Sequence, residues 1–109
     1  MDNPLHINIL TKLAQSKNMW PRRISIVSTC EFIRKGEFDF AYKIVQLLLR
    51  DNEDIIQKAF SWMLREIGKR DKNSEINFLV LCRTDILPKV MSYAIENFNF
   101  SEKALLRKS

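Results

Sequence analysis

Residues 18–29 read Asn18-Met19-Trp20-Pro21-Arg22-Arg23-Ile24-Ser25-Ile26-Val27-Ser28-Thr29, and residues 56–66 read Ile56-Gln57-Lys58-Ala59-Phe60-Ser61-Trp62-Met63-Leu64-Arg65-Glu66. Each stretch opens with cationic or amide side chains and continues as an apolar helical face. Since the helix dipole disfavours cations at a helix start, the adjacent Arg22 and Arg23 indicate a surface that meets phosphate. The stretches lie about 35 residues apart, the spacing of a helix-pair repeat. Together they predict stacked helices that hold nucleic acid.

A weak internal repeat supports this prediction. Residues 23–27 align with 58–62 and with 89–93, and the leading basic residues are 35 and then 31 positions apart. Each unit would be a helix pair that cannot bury its apolar face alone, so the pairs must stack. We therefore predict an all-α fold, a HEAT-like or armadillo-type superhelix of about three helix pairs, as a single domain over residues 1–109. The pattern leaves the hand of the curl open.

Periodicity and boundary residues place the individual helices. Proline suits the first turn of a helix, so Pro21 and Pro88 mark two helix starts. Gly36 is predicted to end the second helix as a left-handed cap, and Gly68 to let the fourth helix fray. Ile24 is expected on the buried face of the second helix. The helices are predicted at about 5–15, 21–35, 39–50, 54–69, from Ser74 onward, 88–98, and in a short segment capped by Ser101.

Composition limits the class of protein. The chain has 109 residues, 46% hydrophobic and 28% charged, which is typical of a folded globular domain. A net charge of +5 and a pI near 9.4 favour a polyanionic partner, either nucleic acid or an anionic membrane surface. The sequence has no apolar run of membrane-spanning length and no signal-peptide pattern, so we expect a cytoplasmic protein. Cys30 and Cys82 have no CxxC spacing and are expected to pack as small apolar residues.

Patterns of catalysis by nucleophiles, metals or cofactors are missing from the sequence. There is no Ser-His-Asp or Cys-His constellation and no glycine-rich phosphate loop. The only histidine, His6, has no Cys, His or acidic residue at ligand spacing. We therefore predict neither a cofactor nor a metal site.

The two opening stretches resemble the DNA alkylation repair (AlkD-like) family of HEAT-like-repeat DNA glycosylases. The resemblance rests on a W-x-R-R motif at residues 20–23, followed about 40 positions later by K-A-x-x-W-x-L-R-E at 58–66. It is supported by residues 32–36 and 91–96, and it extends from about Leu10 to Phe98. It implies an enzyme that hydrolyses the N-glycosidic bond of cationic N3- or N7-alkylpurines in duplex DNA.

The resemblance also implies roles for particular residues. Arg23 matches the family's phosphate-contacting arginine, and Trp62 matches an aromatic residue that contacts the deoxyribose and backbone of the lesion. The repeat alignment adds Arg22, Lys58 and Lys89 to the predicted DNA-binding set. Each of these also has an ordinary structural interpretation: the cations as solvated charges, and Trp62 as core. Arg65 and Glu66 are expected to form inter-helix ion pairs.

One departure from the family concerns catalysis. The family's catalytic aspartate and its companion tryptophan lie on a helix that precedes the matching segment, and residues 1–10 contain no W-x-x-x-D pattern. The chain thus resembles the C-terminal half of the family, with the N-terminal repeats absent, and we expect impaired or no turnover. The alternative is a truncated, non-catalytic helical module that binds protein or self-associates through an exposed N-terminal face.

Overall fold

The structure, a computed structural model, describes the backbone of residues 4–107 and the side chains of residues 8–106. The described backbone forms eight α-helices and no strand, which confirms the all-α prediction and is consistent with a helical-repeat fold. The helices are α1 (Pro4–Ala14), α2 (Met19–Ser28), α3 (Cys30–Arg34), α4 (Asp39–Leu48), α5 (Asp54–Arg70), α6 (Lys72–Cys82), α7 (Pro88–Ala94) and α8 (Phe100–Arg107).

Helix α5 is the centre of the packing. It contacts α2, α3, α4, α6 and α7, whereas α1 packs mainly on α2 and α4, and α6 also contacts α8. Its inward face is apolar, with Ile56, Phe60, Met63, Leu64 and Ile67 fully buried. Burying such side chains contributes about 1.5–3 kcal/mol each, so α5 organises the core. As a result α2 and α7 are positioned on one common helix.

The predicted second helix is divided into two. Asn18 caps α2, its Oδ1 accepting the Trp20 backbone N–H at 3.0 Å, and Pro21 lies in the first turn of the helix as predicted. At Thr29 both the backbone N–H and Oγ1 donate to the Ile26 carbonyl, at 3.1 and 2.7 Å. This tight turn ends α2 and starts α3. Gly36, with φ of +83°, takes the predicted left-handed conformation.

The buried face of α2 also differs from the prediction. Ile24 is 54% exposed, whereas Ile26 is fully buried. The difference arises because small polar residues can face a core when they are hydrogen-bonded. Ser25 is buried and its Oγ donates to the Leu10 carbonyl at 2.7 Å, which ties α2 to α1. This contact rotates Ile24 outward.

Three predicted helix boundaries were wrong. Asp71, not Ser74, caps α6, accepting the Ser74 backbone N–H at 3.1 Å. Asn99, not Ser101, caps α8 through a reciprocal pair of bonds with Glu102, at 2.8 and 2.9 Å. Helix α7 ends at Ala94, four residues before the predicted end. The prediction for Gly68 was also wrong: it does not fray the helix but is buried inside α5, where the Glu75 side chain packs on it.

No helix in the described part of the chain is both long and apolar enough to cross a bilayer.

Candidate nucleic-acid interface

Helices α2, α5 and α7 carry all of the predicted DNA-binding residues. Arg22 and Arg23 lie on α2, Lys58 and Trp62 on α5, and Lys89 on α7, and both outer helices pack against α5. The repeat alignment places Arg23 and Lys58 in equivalent positions, each the fifth residue of its helix, whereas Lys89 is the second residue of α7. The predicted cations therefore lie on three helices that are joined through α5.

Arg22 is engaged within the fold. Its Nε donates to Asp51 Oδ2 at 2.7 Å, and Nη2 lies 3.4 Å from Asp51 Oδ1. Nη1 donates to the carbonyls of Ser16 and Lys17, at 3.0 and 3.1 Å. The side chains of Arg22 and Asp51 are only 15% and 8% exposed. Because every nitrogen of this guanidinium already has an acceptor, little donor capacity remains for phosphate.

Arg23 is in the opposite situation. It is half-buried, and its Nε is a buried donor without a hydrogen-bond partner in residues 8–106. No ion pair to Arg23 occurs in that part of the chain either. An unpaired buried donor costs about 1–3 kcal/mol, and the cost is larger for a charged group. The Nε atom itself is out of contact with solvent, so an oxygen acceptor would remove that cost only if the Arg23 side chain swings outward to meet it.

Trp62 lies at the surface rather than in the core. Its side chain is 41% exposed, although its neighbours Ser61 and Met63 are buried. The indole Nε1–H donates to Glu66 Oε2 at 3.3 Å, one helical turn further along α5. The sequence left core and surface positions open for this tryptophan, and the structure places an aromatic face in solvent on the helix that α2 and α7 contact.

Lys58 and Lys89 meet around Asp54, the first residue of α5. The two ammonium groups lie 3.1 Å and 2.8 Å from the Asp54 carboxylate, which also accepts the Tyr93 hydroxyl at 3.2 Å. The hydrogen bonds from Lys89 and then Lys58 lower the pKa of Asp54 to about 2, and the bond to Asp54 raises the pKa of Lys89. The ammonium groups also lie 5.8 and 5.9 Å from the centre of the Tyr93 ring.

This basic cluster of Asp54, Lys58, Lys89 and Tyr93 was only partly visible in the sequence. Asp54 is an acid in the first turn of α5, which suits the helix dipole. Its spacing of four residues from Lys58 is a signal that could have indicated the helical ion pair. The contact with Lys89 and Tyr93 depends on how α7 packs against α5, which no local pattern reports.

A cleft of about 240 Å³ lies beside the cluster, lined by Lys58, Ser61, Arg65, Tyr93 and Glu96. Arg65 Nη1 closes one side, donating to Glu96 Oε1 at 2.7 Å and to the Tyr93 carbonyl at 3.3 Å. Arg65 therefore pairs with Glu96 in the turn that follows α7 rather than with a residue of another helix. Glu66 pairs with Lys69 and Arg70 of its own helix, so neither residue forms the predicted inter-helix ion pair.

Helices α2, α5 and α7 carry charged and aromatic groups suited to binding a polyanion, and we refer to these groups together as the three-helix face. Arg23 offers an unsatisfied donor, the basic cluster offers two ammonium groups for one carboxylate, and Trp62 offers an aromatic surface. No group of three or more metal-ligand side chains occurs among the described residues. The side chain of His6 lies outside those residues. Both cysteines are free, and burial raises the pKa of Cys82, which disfavours a reactive thiolate.

The family model described as DNA alkylation repair enzyme matches residues 1–98. The chain therefore belongs to the DNA alkylation repair enzyme family, as its motifs predicted. Its general function is related to the repair of alkylated DNA, which implies an interaction with DNA. Comparisons with curated proteins and with solved structures found no match.

Proposed function

We propose that this chain acts as one HEAT-like domain that binds duplex DNA containing alkylated purines on the face formed by α2, α5 and α7. The observation that carries the proposal is the half-buried Arg23, whose Nε has no acceptor among the described residues. A DNA phosphate oxygen would be a charged acceptor, and charge-assisted bonds are about twice as strong as neutral ones. Arg23 is therefore the proposed phosphate contact.

The other residues of the face divide into two roles. Trp62 supplies the exposed aromatic surface against which a deoxyribose or a cationic alkylpurine would pack. Lys58 and Lys89 are exposed and contribute a net positive potential toward the backbone. Arg22 is held by Asp51 and two carbonyls, so we assign it to the support of the α2 start rather than to phosphate.

For catalysis, the family reaction is hydrolysis of the N-glycosidic bond, with release of an N3- or N7-alkylpurine. The positive charge on such a purine makes it a good leaving group, so a protein could contribute by positioning and by stabilising the developing sugar cation. The Asp54 carboxylate is shared by two ammonium groups and is poorly suited to stabilise a third cation. We therefore propose binding as the activity of this face, with at most slow base release.

The test is binding of the whole chain to a duplex with one stable N7-methylguanine analogue and to the undamaged duplex, at low and near-physiological salt. The variants are Arg23→Ala and Trp62→Ala. Lys43→Ala, an exposed cation on α4, is the charge-matched control. We expect salt-sensitive binding that Arg23→Ala weakens, reducing the salt slope by about 1. Trp62→Ala should reduce the preference for the lesion.

Equal losses in Arg23→Ala and Lys43→Ala would mean that only net charge matters, and the assignment of Arg23 would be wrong. Absence of binding at low salt would contradict the proposal as a whole. Base release can be measured on a duplex of the same sequence that carries hydrolysable N7-methylguanine, by heating it with alkali and resolving the cleaved strand.

A second candidate function is association with protein, including a second copy of this chain. It is favoured by Ile9 on α1 and by Trp20 and Ile24 on α2, all more than half exposed. Apolar contacts tolerate salt, so light scattering at low and high salt separates this function from DNA binding. A salt-resistant dimer that Ile9→Lys dissociates would support it, and a monomer at all concentrations would contradict self-association.

A further inference from the structure

We propose that Glu66 is a positioning residue for Trp62: its carboxylate holds the indole in the orientation in which it meets DNA. The inference rests on the DNA contact proposed for Trp62 and adds a residue that acts through it. Trp62 and Glu66 are four residues apart on α5 and therefore lie on the same face of the helix. The bond from indole Nε1 to Glu66 Oε2 is 3.3 Å long.

The Glu66 carboxylate is itself held in place. Lys69 Nζ lies 3.0 Å from Oε2, and Arg70 Nη1 lies 3.2 Å from Oε1. The same Arg70 nitrogen also donates to the Glu66 backbone carbonyl at 2.9 Å, which fixes the guanidinium beside the carboxylate. The Glu66 side chain is only 13% exposed, whereas Trp62 is 41% exposed. A well-ordered acceptor thus lies beneath a side chain that is otherwise partly free.

The protonation state of Glu66 suits this role. Burial alone would raise its pKa, but the donors and charges of Lys69 and Arg70, with the Trp62 N–H, outweigh burial and lower the pKa. Glu66 is therefore ionised at neutral pH, and an ionised carboxylate can only accept hydrogen bonds. The indole N–H is the matching donor. Because the indole can only donate and the carboxylate can only accept, the hydrogen bond determines which edge of the ring faces inward.

An exposed tryptophan without such a contact would lose rotamer freedom on binding, and that loss weakens affinity. Because Glu66 already restricts the indole in the free protein, less rotamer freedom is lost when DNA binds. Its own negative charge would repel DNA if it stood alone, but Lys69 and Arg70 together outnumber it by one positive charge. The Glu66, Lys69 and Arg70 group can therefore orient the indole and remain compatible with a polyanion.

The experiment compares Glu66→Gln with Glu66→Ala, since both variants remove the same charge and only glutamine keeps an acceptor oxygen. The free protein is examined first, by the indole N–H resonance of Trp62 in a Trp20→Phe background, which leaves one tryptophan. We expect this signal to stay near its wild-type position in Glu66→Gln. In Glu66→Ala it should shift upfield and exchange faster with solvent. Thermal unfolding of each variant establishes that it is folded.

Binding to the lesion duplex is then measured for the same variants. Glu66→Ala should bind about threefold to tenfold more weakly than Glu66→Gln, the range that corresponds to one hydrogen bond. In a Trp62→Phe background, which lacks the N–H, this difference should disappear. A difference that persists with phenylalanine would mean that Glu66 acts by another route, and it would overturn the inference.

The failures of the two proposals can be distinguished. If Trp62→Ala weakens lesion binding but Glu66→Ala and Glu66→Gln bind equally, the positioning role is wrong and the DNA contact of Trp62 stands. If Trp62→Ala binds as the wild-type chain does, the DNA contact itself is wrong, and the positioning role is overturned with it.

Discussion

Arg22 and Asp51 form a largely buried ion pair that joins the start of α2 to the turn before α5, with Arg22 Nε 2.7 Å from Asp51 Oδ2. Asp51 Oδ1 also accepts the backbone N–H of Glu53, at 2.9 Å. The Asp51 carbonyl accepts the side-chain amide of Gln57 at 2.8 Å. The pair is therefore part of the connection that seats α2 on α5, and it gives the two adjacent arginines different roles.

This difference predicts opposite behaviour in stability and binding. Arg22→Ala leaves a buried carboxylate without its partner, and it should lower the free energy of unfolding by about 3 kcal/mol. Arg23→Ala removes a group that lacks an acceptor, so it should change stability by less than about 1 kcal/mol while weakening DNA binding. Urea denaturation and duplex titration of both variants measure the two effects. Equal destabilisation by the two variants would contradict the division.

The rotated face of α2 gives a second prediction. Ile26 is fully buried and Ile24 is 54% exposed, although they are two residues apart. Ile26→Ala should lower the free energy of unfolding by about 2–5 kcal/mol, the range for truncation of a core aliphatic side chain. Ile24→Ala should change it by no more than about 0.5 kcal/mol. Denaturation of the two variants checks the face directly, and a costly Ile24→Ala would restore the prediction made from the sequence.

The errors on α2 show which features of the fold can be predicted from the sequence and which cannot. Apolar spacing was sufficient to predict an all-helical chain and nearly the correct limits of α4 and α5, because those helices carry long amphipathic patterns. In α2, Ser25 is buried through a bond to the Leu10 carbonyl, a partner that lies on another helix. Periodicity treats serine as a solvent-facing residue, so it placed the wrong isoleucine inward.

In the candidate site, too, the sequence predicted some features and missed others. The motifs identified Arg23 and Trp62, and both prove to be on helices that pack together. The partners of those residues depend on side-chain geometry: Asp51 occupies Arg22 and leaves Arg23 unpaired, and Glu66 contacts Trp62. The Arg22–Asp51 pair joins residues 29 positions apart, for which a single sequence contains no signal. The four-residue spacing of Trp62 and Glu66 on one helix could have indicated their contact.

Gly68 and Glu75 provide a prediction about the interior. A Cβ added to Gly68 would overlap the carboxyl group of Glu75, which is buried on α6. Alanine is a better helix former than glycine by about 1 kcal/mol, so Gly68→Ala would stabilise an unobstructed helix. In this chain it should instead destabilise by about 1–3 kcal/mol, because the carboxyl must move.

The substitution is therefore tested in two backgrounds. In Glu75→Ala the obstruction is removed, and Gly68→Ala should become neutral or stabilising. Denaturation of the wild-type chain, both single variants and the double variant gives the coupling between the two positions. The same effect of Gly68→Ala in both backgrounds would mean that the contact with Glu75 is not what requires glycine.

Glu75 also predicts how stability depends on pH. Burial raises its pKa from 4.5 to about 8, although the charges of Lys72 and Arg65 oppose the shift. Between these two values the unfolded chain has released the proton and the folded chain still holds it. The free energy of unfolding should therefore fall as pH rises from about 4.5 to about 8, by up to about 1.4 kcal/mol per pH unit.

Glu75→Gln keeps the shape of the side chain and cannot ionise. It should abolish this part of the pH dependence, and at pH 8 it should be more stable than the wild-type chain. Urea denaturation of both proteins at a series of pH values from 4.5 to 8.5 tests this. Parallel stability curves for the two proteins would show that Glu75 does not hold its proton in the folded state.

Asp54 predicts an increase in DNA binding rather than a loss. Its carboxylate accepts from Lys58 and Lys89, at 3.1 and 2.8 Å, and its pKa of about 2 keeps it charged at neutral pH. Asp54→Asn keeps an acceptor for the Tyr93 hydroxyl and releases both ammonium groups from a competing anion. We expect tighter binding to the undamaged duplex at low salt. The slope of log K against log salt should steepen by about 0.9 for each further phosphate that a released lysine neutralises.

The control is Asp39→Asn, which makes the same change in net charge at an exposed first-turn residue of α4, away from the three-helix face. If Asp39→Asn increases binding as much as Asp54→Asn does, the basic cluster does not meet the DNA backbone, because a local contact must depend on which carboxylate is removed.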